Sequence, residues 1–204
     1  MKARTDYHHG DLKNALLRAG EEELAEKGVE AFSLRSVAKR AGVSHGAPAY
    51  HFGDVPGLLT ALAAMAYRRF IATQEQFQAR YPADPKSQLA ASGLGYIHFA
   101  ESNPSLFRLI FASDRPNRSA PELSAAADAA FDKLLVDVAQ LLERDPSEDP
   151  AAMSRVMSAW VVAHGIADLM LTGRFDRMPF FAHLSAEGRD ALFAELILRG
   201  VDVP

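Results

Sequence analysis

The sequence contains no cysteine, and none of its apolar runs approaches the ~20 residues that are needed to cross a bilayer. The absence of cysteine excludes disulfide bonds, thiolate metal sites and cysteine nucleophiles. The first ten residues carry charges and two histidines but no apolar stretch, so we expect no secretory signal there. Apolar residues make up 49% of the chain and charged residues 24%, which is the balance of a folded globular protein. We therefore expect a cytoplasmic protein that does not enter the membrane.

Strand signals are also scarce, because no segment shows a sustained alternation of β-branched and polar residues. Apolar residues recur at helical spacing instead, which predicts an all-α fold of about nine helices. Proline and glycine mark the breaks between them, and Asp11 is expected to cap the first helix. The predicted helices span residues 11–28, 34–41, 44–50, 55–81, 86–102, 104–112, 120–144, 150–173 and 185–199.

The net charge of −4 is distributed unevenly along the chain. Residues 1–50 carry eight Lys or Arg and seven Asp or Glu, whereas residues 51–204 carry fourteen and nineteen. Binding to phosphate depends on clustered basic residues rather than on the total charge. We expect folding to separate the basic and acidic groups of the N-terminal segment onto opposite ends. The basic group comprises Lys2, Arg4, Lys13, Arg35, Lys39 and Arg40, with His8, His9 and His45 nearby. The acidic group comprises Glu21, Glu22, Glu23 and Glu26.

Residues 33–52 have the pattern of a helix-turn-helix unit, in which two short helices are joined by a turn that contains glycine. Ser33 is expected to cap the first helix, and Gly42 to end it, because glycine adopts a left-handed backbone without strain. Ser44 is expected to cap the second helix, whose free N–H groups favour phosphate and which enters the major groove. The pattern alone also allows two ordinary core helices with a glycine turn between them.

The run SLRSVAKRAGVS at residues 33–44 resembles the helix-turn-helix segment of the tetracycline repressor (TetR) family of bacterial regulators. Further similar stretches extend the resemblance over about residues 7–62. These stretches are Tyr7–Leu12, Ser44–Pro48, Phe52 and Leu58–Leu59. Near the other end, the run WVVAHG at residues 160–165 looks like the Trp/His-Gly signature of one subclass of TetR C-terminal domains.

The resemblance implies a helix-turn-helix DNA-binding domain at residues 1–54 and a larger helical domain for ligand binding and dimerisation at residues 55–204. It implies a homodimer, formed chiefly by the last two helices, that binds a palindromic operator on double-stranded DNA. A ligand-responsive transcriptional regulator of this kind is usually a repressor. It needs no cofactor, and its partner is a small-molecule effector.

Transferred to matching positions, the family roles place Arg35 at the DNA and His51 at a phosphate. The residues expected to line the major groove are Ser44, His45, Gly46, Ala47 and Tyr50. For Tyr50, packing against the long helix is the alternative.

Two positions depart from the family pattern. Ala49 stands where the family commonly has an aromatic residue, and Val55 where it commonly has a lysine. Loss of that lysine implies weaker and less salt-dependent binding. DNA contact is then expected to shift toward Arg35, His45 and Tyr50 and toward the basic arm at Lys2 and Arg4.

Aromatic and methionine residues of the larger domain predict an apolar effector pocket with few polar groups. Those in its middle helices are expected to face others from the penultimate long helix, although core packing is the alternative for each. The set comprises Tyr96, Phe99, Phe107 and Phe111 on one side and Met157, Trp160 and His164 on the other. The glycines of Gly93–Gly95 are expected to serve helix packing.

Catalytic and metal sites are not expected. His98 and Glu101 resemble half of a carboxylate metal site, but no second Glu-x-x-His pair accompanies them. No Ser-His-Asp order or nucleophile elbow occurs. A helical enzyme or small-molecule-binding protein, whose N-terminal helices are scaffold only, is the alternative function.

Overall fold

The structure is a computed structural model that describes residues 9–201 of the chain, with side chains from Leu12 onward. The described part is all-α, as predicted, with ten α-helices and one short 3-10 turn. None of these helices is long and apolar enough to cross a membrane. The predicted basic arm at Lys2 and Arg4 lies outside the described residues. The helices are α1 (His9–Lys27), α2 (Leu34–Arg40), α3 (Ala47–Phe52), α4 (Val55–Gln78), α5 (Pro85–Ser102), α6 (Pro104–Phe111), α7 (Pro121–Leu142), α8 (Pro150–Leu171), α9 (Pro179–Ala182) and α10 (Ala186–Val201), and the 3-10 turn is Phe175–Arg177.

Proline and aspartate set many of the helix starts. Proline fits the first helical position because its missing N–H has no partner to lose there. It opens α5, α6, α7, α8 and α9. Asp84 accepts a hydrogen bond from the Ser87 N–H at 3.0 Å, and Asp149 accepts one from the Ala151 N–H at 2.8 Å. These backbone hydrogen bonds lower the pKa of both capping carboxyl groups and stabilise the charged form.

Two helix starts differ from the prediction by more than one residue. α1 already begins at His9, so Asp11 lies in its first turn and does not cap it. α3 begins at Ala47, three residues after the predicted cap Ser44. The reason is Pro48: it has no N–H to donate to the Ser44 carbonyl, as an α-helix starting there would require. The Ala47 N–H bonds that carbonyl at 3.0 Å instead, which makes a tight turn before the helix.

The segment between α8 and α10 also differs, because a 3-10 turn and the short α9 occupy it and no helix was predicted there. The rings of Phe175 and Phe181 stack with their centroids 4.3 Å apart. Phe175 also lies against Phe193 of α10, at 5.7 Å between centroids. Aromatic packing therefore orders a segment that has no extended helical periodicity.

The chain folds into two compact units. One contains the residues up to Ala66 together with Ser105–Ala125, and the other contains Tyr67–Pro104 and the residues from Ala126 onward. The long helix α4 thus contributes residues to both units. The functional division predicted after residue 54 stays a prediction.

In the first unit, α1 packs on α2, and α2 packs on α3. The core residues recur at the helical spacing read from the sequence and include Leu16, Leu24, Val37, Ala38, Leu58, Leu59 and Leu62. The loop after α6 is joined to the first half of α4 by Thr60, whose hydroxyl accepts from the Asn117 N–H at 2.8 Å and donates to the Pro56 carbonyl at 2.7 Å.

In the second unit, α5, α8 and α10 pack against one another around two apolar clusters. One contains Leu89, Val138, Val156, Ala159 and Val201, and the other Leu94, Ile97, Ile166, Phe193 and Ile197. Gly95 lets α5 approach α4 closely, because a Cβ atom at this position would lie 2.6 Å from the α-carbon of Gln74. The expected role of the Gly93–Gly95 glycines in helix packing is confirmed.

Candidate nucleic-acid interface and effector site

The turn between α2 and α3 is closed by a Schellman motif. The Val43 N–H bonds the Ala38 carbonyl at 3.0 Å, and the Gly42 N–H bonds the Lys39 carbonyl at 3.2 Å. This arrangement needs a left-handed residue after the helix cap, and Gly42 has φ 68°. The predicted helix-turn-helix geometry is therefore present, with a six-residue second helix.

The start of α3 faces solvent. Ser44, His45 and Gly46 in the preceding turn are exposed, and Tyr50 is 83% exposed. Packing of Tyr50 against the long helix does not occur. Its ring meets His51 edge-on, with the centroids 5.2 Å apart.

The other predicted DNA residues of this unit divide by exposure. Arg35, in the first turn of α2, is exposed, and Ala47 and His51 are half-buried. Ala49, where the family commonly has an aromatic residue, is also exposed, and Val55 is half-buried. All of these positions belong to one compact unit, and their roles at DNA stay a prediction.

The base of α3 has an anchor that sequence reasoning missed. The Lys13 ammonium group lies 6.0 Å from the centroid of the Phe52 ring, which is a cation–π contact between α1 and the end of α3. No sequence spacing indicates this pair, because the two residues are thirty-nine positions apart.

The expected separation of basic from acidic residues is wrong for Arg40. Its guanidinium group bonds the carboxylates of Glu23, at 3.1 Å, and of Glu26, and lies 3.6 Å from an oxygen of Glu22. The hydrogen bond from Lys27, and after it the one from Arg40, lowers the pKa of Glu26 to about 2. Arg40 lies among these acidic residues because α2 packs on α1 and brings the end of α2 to the acidic turn of α1. The sequence alone does not indicate this contact between the two helices.

In the second unit, Tyr96 is the centre of a buried polar group. Its hydroxyl lies 2.7 Å from His164 Nδ1 and is also hydrogen-bonded to Trp160. An indole N–H can only donate, so the phenol oxygen accepts from Trp160, and the tautomer of His164 sets the direction of the hydrogen bond between the hydroxyl and Nδ1. Burial raises the pKa of Tyr96 and keeps the phenol neutral.

The remaining residues of the predicted pocket lie in different surroundings. Phe99 is fully buried against Phe70, at 5.3 Å between centroids. Phe107 and Phe111 contact each other at 4.8 Å and belong to the first unit, whereas the other five residues belong to the second. Met157 is exposed on α8. The second unit thus brings together Tyr96, Trp160 and His164.

His98 joins α5 to α10. Its Nε2 atom lies 3.1 Å from both carboxylate oxygens of Asp190, and its Nδ1 atom lies 3.6 Å from Glu101. Phe77 covers the imidazole, at 4.7 Å between centroids. The partner Asp190 is ninety-two residues away in sequence, and no local signal indicates it.

An apolar stripe, here called the α8 stripe, lies on the surface of α8 at a spacing of four residues. It consists of Met157, Val161, Gly165 and Leu169; Val161 is 64% exposed, and a Cβ atom added at Gly165 would meet nothing within 4 Å. On α10, Leu196 is 39% exposed. Exposed apolar residues aligned on one helix face are a candidate interaction surface.

The turn and the exposed short helix α3 define the class of helix-turn-helix DNA-binding proteins. Comparison with family models gives two matches, to "Bacterial regulatory proteins, tetR family" over residues 16–62 and to "Tetracyclin repressor-like, C-terminal domain" over residues 89–197. The chain belongs to the TetR family and is a ligand-responsive, DNA-binding transcriptional regulator. The Trp/His-Gly subclass stays a prediction.

Known relatives agree with this membership. The HTH-type transcriptional regulator BetI of Stenotrophomonas maltophilia (strain R551-3) is 26% identical over 169 residues, which cover 80% of this chain and 84% of the relative. A solved structure of a protein of unknown function from Rhodococcus sp. RHA1 is 30% identical to this chain, with a TM-score of 0.76. The alignment covers 97% of this chain and 98% of that protein. A TetR-like transcriptional regulator from Rhodococcus sp. RHA1 has the same fold, with a TM-score of 0.62 and 18% sequence identity. The alignment covers 96% of this chain and 98% of that protein.

Proposed function

We propose that this regulator is a repressor that binds a palindromic operator as a homodimer and releases it when a small, largely apolar effector binds. The observation that carries the proposal is the exposed start of α3, where His45 and Tyr50 are free to meet a partner. The exposed side chains at this helix start suit base edges and phosphate oxygens. Arg35, Ser44, Gly46, Ala47 and His51 complete the proposed contact set.

The α8 stripe supports the homodimer. One helix-turn-helix module reads few bases, so two-fold symmetry doubles the contacts and requires a palindromic site. A second copy of the chain would cover the stripe together with Leu196 of α10.

The polar group of Tyr96, Trp160 and His164 supports an effector site in the second unit. Effector sites are mostly apolar, with a few polar groups that orient the ligand. Tyr96 packs edge-on against the ring of Phe70, which in turn packs against Phe99. Release of DNA requires that the effector bind one conformation of the protein better than another. The proposed function needs no catalytic residue, metal or cofactor, and the chromosome as partner implies a cytoplasmic location.

Binding of the purified full chain to a labelled duplex from its own promoter region tests the proposal. We expect fluorescence anisotropy to report salt-sensitive binding, a stoichiometry of two chains per duplex, and weaker binding when either half of a palindrome is scrambled. Absence of salt-sensitive binding would refute the proposal that the chain binds an operator. A stoichiometry of one chain per duplex would refute the proposal that it binds as a dimer. Compounds that lower the affinity for the duplex would then identify the effector class.

A further inference from the structure

Glu23 is an unusual residue for the interior of a small DNA-binding unit. It is 1% exposed, and among the described residues the hydrogen bond to its carboxylate comes from Arg40 of α2, at 3.1 Å. A carboxylate that is removed from water remains charged at low cost only if a cation or several donors compensate it. The fold of this unit therefore depends on where the Arg40 guanidinium is held.

Arg40 is the last residue of α2, and the turn to α3 follows it directly. Its guanidinium group reaches Glu22, Glu23 and Glu26, which all lie on α1. These ion pairs join α1 to the very end of α2. The contact between Arg40 and α1 therefore helps to set the orientation of the turn and of α3, whose exposed residues follow in the chain.

The Nη2 group of Arg40 donates hydrogen bonds to Glu23 and Glu26, and its Nη1 atom lies 3.6 Å from a carboxylate oxygen of Glu22. Three carboxylates surround a single guanidinium group, so little positive charge remains to attract a phosphate. Its neighbour Lys39 is different, since it is exposed and takes part in no ion pair of the described residues. The two adjacent basic residues are therefore not equivalent.

We propose that Arg40 is a positioning residue for operator binding, which fixes the turn and α3 on α1 through buried Glu23 and does not contact DNA. This inference rests on the proposed function, because it presupposes that α3 binds the operator. The inference predicts that replacing Glu23 by a neutral residue restores the stability and operator binding that are lost when Arg40 is replaced. A residue that touches phosphate shows no such recovery.

The test uses the full chain and compares Arg40→Met, Glu23→Gln and the double variant. We expect Arg40→Met to lower the unfolding temperature and to weaken operator binding at least about tenfold, because an uncompensated carboxylate is left buried. We expect the double variant to recover most of both losses. In each variant, the slope of log K against log salt should equal that of the wild type, since no phosphate contact is removed.

Lys39→Met serves as the matched control, because it removes the same charge one residue earlier. We expect it to leave the unfolding temperature unchanged, and Glu23→Gln to have no influence on its effect. If Lys39 contacts a phosphate, its loss lowers the salt slope by about one.

The inference is overturned if Arg40→Met lowers the salt slope by about one, if it leaves operator affinity unchanged, or if Glu23→Gln does not restore binding. If Arg40→Met does not fold, the double variant decides alone: a folded protein with the wild-type salt slope supports the inference, and failure to fold refutes it. A wild type that binds no promoter DNA refutes the proposed function itself, which separates the two failures.

Discussion

Arg35 and Tyr50 are exposed side chains on short helices, so their removal affects a partner and leaves the core intact. We predict that Arg35→Ala and Tyr50→Ala each weaken operator binding by about 1–3 kcal/mol, as for groove or phosphate contacts. Anisotropy titrations of a promoter duplex measure the loss. Tyr81→Ala, which removes another exposed tyrosine from the segment after α4, should leave the affinity unchanged. Wild-type affinity in either DNA variant would refute that residue's assignment.

The buried hydroxyl of Tyr96 forms hydrogen bonds with two half-buried partners, Trp160 and His164. Tyr96→Phe keeps the ring but leaves both partners without this oxygen, so we predict a loss of about 1–3 kcal/mol in the free energy of unfolding. Urea denaturation followed by circular dichroism measures it. Tyr50→Phe removes an exposed hydroxyl and should cost nothing, and equal stabilities for the two variants would contradict the interpretation.

Glu26 gives the fold an acid-sensitive contribution. Its pKa falls from an ordinary 4.5 to about 2 in the folded chain. The charged form therefore stabilises the fold above pH 4.5, and this contribution is lost as the pH falls through 2. We predict that the unfolding temperature of the wild type drops more steeply over this window than that of Glu26→Gln. The difference should shrink in high salt because the pair is exposed. Parallel curves would count against the ion pairs.

At the scale of the helix, Gly95 lies where α5 approaches the backbone of α4 closely. We predict that Gly95→Ala lowers the free energy of unfolding by about 1–3 kcal/mol, because the new methyl group overlaps the backbone of Gln74. Gly188→Ala on α10 is the control. Its Cβ atom meets only side-chain atoms, at 3.5 Å, so the higher helix propensity of alanine should stabilise the chain by up to about 1 kcal/mol. Urea denaturation of both variants tests the pair, and equal changes would be inconsistent with the close approach.

The helices themselves were largely predictable, because their signals are local. Proline and capping aspartate fix the starts of α5 and α8, and Gly28 follows the last residue of α1, as expected. The predicted start of α3 was wrong, although Pro48, which determines it, is visible in the sequence. The effect of its missing N–H becomes clear only when the Ser44 carbonyl is identified as the group that would accept from it.

The candidate sites were predictable in part, for a different physical reason. Exposure of His45 and Tyr50 follows from the turn pattern, which is local. The pairs Arg40–Glu23, Tyr96–His164 and His98–Asp190 join different helices, and helix periodicity does not specify which residues of two helices meet.

At the scale of the whole molecule, the α8 stripe and Leu196 are the surface that we expect a second copy to cover. We predict that Val161→Arg and Leu196→Arg each yield monomers with poor operator affinity, because a charge would be buried in the interface. Light scattering coupled to size-exclusion chromatography at micromolar concentration measures the mass. Val136→Arg, at an apolar residue of α7 that is 52% exposed, should remain dimeric. Dimers that persist in the first two variants would rule out this surface.

The ion pair between buried Glu23 and Arg40 also has a consequence for sequence evolution and for protein engineering. Two codons seventeen positions apart encode the buried carboxylate and the cation that compensates it, so we expect a mutation of Arg40 alone to be harmful and a joint change to be tolerable. The pair is therefore expected to evolve together. A library that randomises α2 and α3 to obtain new operator specificities should keep codon 40 fixed or vary it with codon 23, because most other members would fail before their DNA preference is expressed.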